Sequence, residues 1–134
     1  MKKLMFVMVI LAILTLCLSV NFAGEPLNNT TDLTKALDDA HNQNKSVLIV
    51  FDQKSCVYCD ILKEDTLSDE NVKKQLNENY IVVIVDINDQ PEIADKYGIY
   101  GTPTMVILDS SSKELSRIEG YLGTDEFLKE LSEV

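Results

Sequence analysis

The chain is 134 residues long and carries 12 basic and 22 acidic side chains, so its formal net charge is −10. This length suits one domain and leaves no stretch for a second hydrophobic core. A strongly acidic surface repels phosphate backbones and anionic lipid head groups, which argues against nucleic acid as a partner. We interpret the acidity as a source of solubility.

The first 23 residues have the pattern of an export signal. Lys2 and Lys3 form a positive start, residues 4–20 are almost entirely apolar, and polar residues follow. We predict that residues 1–23 are a signal peptide cleaved after Ala23. An uncleaved N-terminal membrane anchor is the alternative, because the apolar stretch approaches the roughly 20 residues that span a bilayer. In both cases we expect an extracytoplasmic domain that is periplasmic, secreted or anchored to the outer face of the cytoplasmic membrane.

The first half of the predicted domain begins with a helix and a strand. The polar segment 24–31 is predicted to be a linker. Thr31 or Asp32 then caps a helix that has apolar residues at helical spacing and ends near 42–44. Residues 47–51 are a continuous run of apolar, mostly branched side chains, which predicts a strand buried on both faces. A further helix begins where this strand meets a pair of cysteines.

The second half alternates helices and strands and then closes with a hairpin. The predicted elements are a helix at about 69–79, a strand at 81–85, a short helix from Pro91 to Lys96 that stops at Gly98, strands at 104–108 and 114–119, and a last helix capped by Thr124. This order predicts an α/β domain over residues 32–134, with a mixed sheet covered by helices on both faces.

Two cysteines carry the most specific chemistry. Cys17 lies in the export segment, so Cys56 and Cys59 are the only cysteines of the predicted domain. A disulfide at this spacing closes almost no loop and would stabilise little as a staple, so the C-x-x-C motif favours redox chemistry. The helix start supplies unpaired N–H groups and the positive end of a dipole, which favour a thiolate on Cys56 as the nucleophile. Cys59 lies deeper and is predicted to be the resolving thiol.

Half of a zinc site is another interpretation of the C-x-x-C motif. A structural zinc site needs about four ligands, and the domain offers only one histidine, His41, besides the two cysteines. We therefore predict neither a metal nor a cofactor.

The sequence resembles the thioredoxin-like family, in particular its exported members, over nearly all of residues 33–134. The resemblance rests on the strand and motif at 47–59, the strand at 81–86, the segment Tyr97-Gly98-Ile99-Tyr100-Gly101-Thr102-Pro103-Thr104, and Gly120. It implies a thioredoxin-like fold in which Pro103 is cis and faces the cysteines. It also implies that the Thr102 backbone is free to pair with an extended substrate segment.

Tyrosines near the two motif loops are further candidates for substrate contact. We expect Tyr58 and Tyr100 to be available to substrate because they flank the C-x-x-C motif and the Thr-Pro pair, and we expect the other tyrosines to pack. Two positions depart from thioredoxin itself: Ser55 replaces a tryptophan and Val50 replaces a buried aspartate. The resemblance therefore leaves the redox potential and the direction of exchange open.

These features predict an extracytoplasmic thiol-disulfide oxidoreductase that exchanges disulfides with protein substrates, with reduction slightly favoured over oxidation. We expect a monomer that is recycled by a membrane-bound redox partner or a small thiol, since the domain has no cofactor of its own. The alternative function is a non-catalytic polypeptide-binding module, in which the two cysteines form a structural disulfide.

Overall fold

The computed structural model describes residues 24–134, and the predicted signal peptide or anchor at 1–23 lies outside them. At the centre is a five-stranded sheet in the order β1-β3-β2-β4-β5. The strands are β1 (Asn29–Thr30), β2 (Ser46–Asp52), β3 (Tyr80–Asp86), β4 (Thr104–Leu108) and β5 (Glu114–Glu119). β3 is parallel to both β1 and β2, whereas β4 is antiparallel to β2 and β5. The sheet is therefore mixed, as predicted.

Five α-helices lie around this sheet in the described part of the chain. They are α1 (Leu33–Gln43), α2 (Val57–Ile61), α3 (Glu70–Asn79), α4 (Pro91–Tyr97) and α5 (Thr124–Glu133). Asp32 caps α1 by accepting a hydrogen bond from the Lys35 N–H at 2.9 Å, and Gly98 ends α4 in the left-handed conformation with φ 63°. Within residues 24–134, no helix is long and apolar enough to cross a membrane.

Two hydrophobic clusters lie on opposite faces of the sheet, because successive side chains of a strand point to opposite faces. On β2, Leu48 and Val50 belong to one cluster, while Ile49 belongs to the other. The first cluster is completed mainly by residues of α3 and α5, among them Val72, Leu76, Phe127 and Leu131. The second is completed by residues of α1, namely Leu33, Ala36 and Ala40, with Ile93 and Tyr97 of α4 packed against it. The predicted fold class, a mixed sheet with helices on both faces, is confirmed.

The helix that follows the cysteines changes its hydrogen-bond pattern after one turn. Leu62–Thr66 form a π-helical segment, in which the N–H of Leu67 donates to the carbonyl of Leu62 at 2.9 Å. Leu62 and Leu67 are both almost fully buried and belong to the same cluster. The wider turn places two apolar residues five positions apart against one core.

Two local expectations differ from the structure. Within the predicted linker 24–31, Asn29 and Thr30 form β1 and pair with Val82 and Val83 of β3. Asn77 of α3 also binds this segment, since its side chain donates to the Pro26 carbonyl at 3.0 Å and accepts from the Asn28 N–H at 2.9 Å. The expectation of a linker is therefore wrong for residues 26–30.

The start of the last helix also differs by one residue. The N-cap position of α5 is occupied by Gly123 and not by Thr124, and no side chain caps this helix. Thr124 is instead the first helical residue.

Candidate redox site

The strand β2 ends at Asp52, and a short loop leads from it to Cys56 at the N-cap of α2. Ser55 in this loop has a left-handed φ of 64°. Cys56 is extended, and its Sγ accepts a hydrogen bond from the Cys59 N–H at 3.2 Å, as an N-cap side chain does. The sulfur of Cys56 therefore lies at the positive end of the helix, where a thiolate is stabilised.

The two cysteines differ in accessibility. Cys56 is half-buried, whereas Cys59, one turn into the helix, is 1% exposed. They are joined by a disulfide with a Cα–Cα distance of 5.2 Å. The expected proximity of the two sulfurs, and the deeper position of Cys59, are thus observed in the fold.

The loop before β4 faces the disulfide. The Thr102–Pro103 peptide bond is cis, as expected, and Thr102 Oγ1 lies 3.4 Å from Cys56 Sγ. The loop is held by two hydrogen bonds, from the Gly120 N–H to the Pro103 carbonyl at 2.8 Å and from Thr104 Oγ1 to the Gly101 carbonyl at 2.8 Å. Among residues 24–134, the N–H and carbonyl of Thr102 have no hydrogen-bond partner. Both main-chain groups of Thr102 thus lie unpaired beside Cys56 within the described residues.

Apolar side chains are exposed around the two loops. Val57 and Tyr58 of α2 are 68% and 63% exposed, and Tyr100, two residues before Thr102, is completely exposed. By contrast, the Tyr97 ring packs against Phe51, with 5.8 Å between centroids. A shallow cavity of about 260 Å³ continues along the same loop, lined by residues 98–104, Arg117, Glu119 and Gly120.

Position 50, in the buried strand β2, holds a valine and not a carboxylate. Val50 is 2% exposed and packs in the same cluster as Leu62, three residues after Cys59. The nearest carboxylate along β2 is Asp52, whose Oδ2 accepts from Lys63 Nζ at 2.8 Å and whose Oδ1 accepts from the Gln53 N–H at 2.7 Å. This hydrogen bond from Lys63 to Asp52 is the main reason that the pKa of Lys63 is raised.

Sequence reasoning brought together Cys56, Cys59, Thr102, Pro103 and Tyr58, and the structure places them at one end of the sheet. It missed Gln53, whose side chain lies 3.4 Å from the hydroxyl of Thr102. No local pattern identifies this residue, since the contact joins positions 49 residues apart. Within the described residues 24–134, no group of three or more His, Cys, Asp or Glu side chains is arranged to hold a metal ion.

Residues 33–134 match the family model of the thioredoxin-like domain. Among curated proteins, the thiol:disulfide interchange protein DsbD of Photorhabdus laumondii is 28% identical over 118 residues, which are 84% of this chain and 20% of that protein. DsbD of Campylobacter jejuni is 25% identical over 109 residues, which are 78% of this chain and 18% of that protein. The chain thus spans about a fifth of the length of these relatives.

Solved structures agree with this match. A thioredoxin from Thermus thermophilus is similar with a TM-score of 0.72 and 29% identity, over 80% of this chain and 86% of that one. The oxidised C-terminal domain of DsbD from Neisseria meningitidis has a TM-score of 0.66 and 21% identity, over 79% of this chain and 98% of that one. The second likeness concerns the fold alone.

Proposed function

The chain belongs to the thioredoxin-like family of thiol-disulfide oxidoreductases, and we propose that it exchanges disulfides with exported proteins through Cys56 and Cys59. The observation that carries this proposal is the asymmetry of the pair. Cys56 is accessible at a helix N-cap beside the cis-proline loop, while Cys59 is 1% exposed behind it. An accessible, stabilised thiolate next to a sheltered thiol is the arrangement that stepwise exchange requires.

In the reducing direction, which we propose is slightly favoured, the Cys56 thiolate attacks one sulfur of a client disulfide. The client S–S bond breaks, a mixed disulfide forms, and the first client sulfur leaves as a thiolate. Cys59 then loses its proton and attacks Cys56 Sγ, which releases the second client sulfur. The client gains two electrons and the protein is left with the Cys56–Cys59 disulfide.

Two features support binding of an extended client segment beside Cys56. The unpaired N–H and carbonyl of Thr102 can form main-chain hydrogen bonds with such a segment, in the manner of an added strand. The exposed rings of Tyr58 and Tyr100 belong to the two stretches of chain that meet where Thr102 Oγ1 lies 3.4 Å from Cys56 Sγ, and they offer apolar contacts to the same client segment. We assign Thr102, Pro103 and Tyr58 to client binding.

The proposed location is outside the cytoplasm, supported by Lys2, Lys3 and the apolar residues 4–20. There the oxidised protein, acting as a monomer, would receive electrons from a membrane-bound reductant or a small thiol. Cell fractionation followed by mass spectrometry of the chain tests this location. For a cleaved signal, the chain should have lost about 23 residues. For an anchor, the intact chain should be found in the membrane fraction. An intact cytosolic chain would contradict both.

Trapping of clients tests the catalytic roles. Cys59→Ser leaves the nucleophile but removes the resolving thiol, so it should accumulate mixed disulfides with clients on non-reducing gels. Cys56→Ser is the matched control, because it makes the same replacement of sulfur by oxygen at the other cysteine. Without the nucleophile it should trap nothing. Equal trapping by both variants would mean that the roles are assigned wrongly.

A reduction assay separates this function from that of a binding module with a structural disulfide. The purified protein should accelerate the reduction of insulin by dithiothreitol. Its disulfide should also have a potential above the range of structural bridges, which lies below about −300 mV. A protein that binds polypeptides but fails both measurements would be the binding module.

A further inference from the structure

A short hydrogen-bond chain connects a residue outside the C-x-x-C motif to the sulfur of Cys56. Thr102 Oγ1 lies 3.4 Å from Cys56 Sγ and also 3.4 Å from Oε1 of Gln53. Gln53 belongs to the loop that follows β2, whereas Thr102 reaches the site from the loop that precedes β4. The hydroxyl of Thr102 therefore has two acceptors within reach.

A hydroxyl carries one proton, so Thr102 donates to only one of these acceptors at a time. The sulfur of a disulfide is a weak acceptor, and the amide oxygen of Gln53 is the better partner while Cys56 is bonded to Cys59. A thiolate on Cys56 reverses the preference, because a hydrogen bond to a charged acceptor is roughly twice as strong as a neutral one.

The exposed side chain of Gln53 can follow this reversal. Rotation of its amide group exchanges Oε1 for Nε2, which donates a hydrogen bond to the Thr102 oxygen. The Thr102 proton then points at Cys56. Consecutive hydrogen bonds in one direction polarise each other, so the donor on Gln53 strengthens the bond from Thr102 to sulfur.

We propose that Gln53 is a positioning residue that orients the Thr102 hydroxyl and thereby stabilises the Cys56 thiolate. This inference rests on the proposed function. The Cys59 N–H, 3.2 Å from Cys56 Sγ, is the second donor to the same sulfur. The Gln53 carbonyl accepts a hydrogen bond from the Cys56 N–H at 3.3 Å, a main-chain contact that side-chain substitution leaves in place, whereas the Gln53 side chain touches no reacting atom and acts through Thr102. Because stabilising the thiolate stabilises the reduced protein, Gln53 makes the pair a stronger oxidant than it would otherwise be.

The test measures the pKa of Cys56 in the reduced, full-length protein from the pH dependence of its alkylation by iodoacetamide, with mass spectrometry identifying the modified cysteine. Gln53→Leu has a similar size but neither donates nor accepts. Gln53→Glu only accepts, so it holds the Thr102 proton away from Cys56. Each substitution is made in the wild-type background and in Thr102→Val, which has nearly the same shape as threonine and no hydroxyl.

With Thr102 present, Gln53→Glu should raise the Cys56 pKa by about one unit, which is tenfold less thiolate below that pKa. Gln53→Leu should reduce the thiolate about twofold to threefold. In the Thr102→Val background the effect of Gln53→Leu should vanish. The effect of Gln53→Glu should fall below half, leaving only charge repulsion screened by solvent.

An unchanged pKa in Gln53→Leu, or a Gln53→Glu shift of equal size in both backgrounds, would overturn the proposal. Lys54, Asp60, Lys63 and Asp89, the charged neighbours of the motif, are present in every variant. Any contact that a glutamate at position 53 makes with them is common to both backgrounds, so it does not contribute to the difference between the backgrounds. Alkylation needs no client, so failure of Cys59→Ser to trap clients would refute the proposed function and leave the Gln53 measurement intact.

Discussion

Val50→Asp should change how the buried thiol of Cys59 loses its proton during resolution. Val50 is 2% exposed and packs with Leu62, on the same side of the helix as Cys59 three residues earlier. Asp52, the next carboxylate along the strand, is bonded to Lys63 and to the Gln53 N–H. Because position 50 holds a valine and Asp52 is already engaged, we expect burial of Cys59 to raise the pKa of its thiol above the ordinary value of about 8.5.

The magnitude follows from the thiolate fraction. Below the pKa, the resolving rate should rise tenfold per pH unit, or about 30-fold from pH 7 to pH 8.5. An aspartate at position 50 accepts the proton within the protein, so Val50→Asp should flatten this rise. Removing the buried valine should cost about 1.5–3 kcal/mol, and burying the carboxyl group should cost about 1–3 kcal/mol. Together these two effects should lower the free energy of unfolding by several kcal/mol.

Stopped-flow reaction of the reduced protein with a chromogenic aromatic disulfide measures this step. Attack by Cys56 releases the first coloured thiol, and resolution by Cys59 releases the second, so the slow phase reports Cys59 alone. Val50→Asn is the matched control because it has the shape of aspartate but accepts no proton near neutrality, and its profile should stay as steep as that of the wild type.

Two results would refute the reasoning about Val50. One is a wild-type slow phase that is level between about pH 7 and pH 8.5, which would mean that another base serves Cys59. The other is a folded Val50→Asp protein with an unchanged profile, which would make Val50 a packing residue only.

Three further predictions concern packing and the surface. Thr66→Val should lower the free energy of unfolding by about 1–3 kcal/mol, because Thr66 is fully buried and donates to the Leu122 carbonyl at 2.7 Å; an unchanged urea midpoint would contradict this. Burial raises the pKa of Tyr80 above its usual 10.0. The stability that the neutral Tyr80 side chain contributes is therefore fully present below pH 10.0 and is lost as the pH rises through the folded-state pKa. In urea titrations above pH 10.0, Tyr80→Phe should therefore lose less stability than the wild type. Tyr100→Ser should raise the KM for a protein disulfide and change unfolding by less than about 0.5 kcal/mol, since the ring is completely exposed; an unchanged KM would remove Tyr100 from the client surface.

Much of the fold could be predicted because its elements carry local signals. The branched apolar runs at 47–51 and 81–85 became the central strands β2 and β3. As capping chemistry predicts, Asp32 stands at the start of one helix and Gly98 at the end of another. The C-x-x-C motif was found where a buried strand meets a helix, and its spacing and position together indicated redox chemistry. The cis bond at Pro103 followed from the family resemblance and was confirmed.

Other features depended on contacts between distant parts of the chain, which no local pattern encodes. Asn29 has little intrinsic preference for a strand, and a two-residue strand forms there because the edge of β3 offers hydrogen-bond partners to Asn29 and Thr30. The π-helical turn arises where Leu62 and Leu67 must both reach one core. The side chain of Gln53 meets the hydroxyl that contacts Cys56 Sγ because the sheet brings Thr102 back from 49 residues away. The sequence by itself determined the elements and the reacting cysteines, whereas the packing of the sheet decided which side chains surround the sulfur, because those neighbours meet only when β2 and β4 pair.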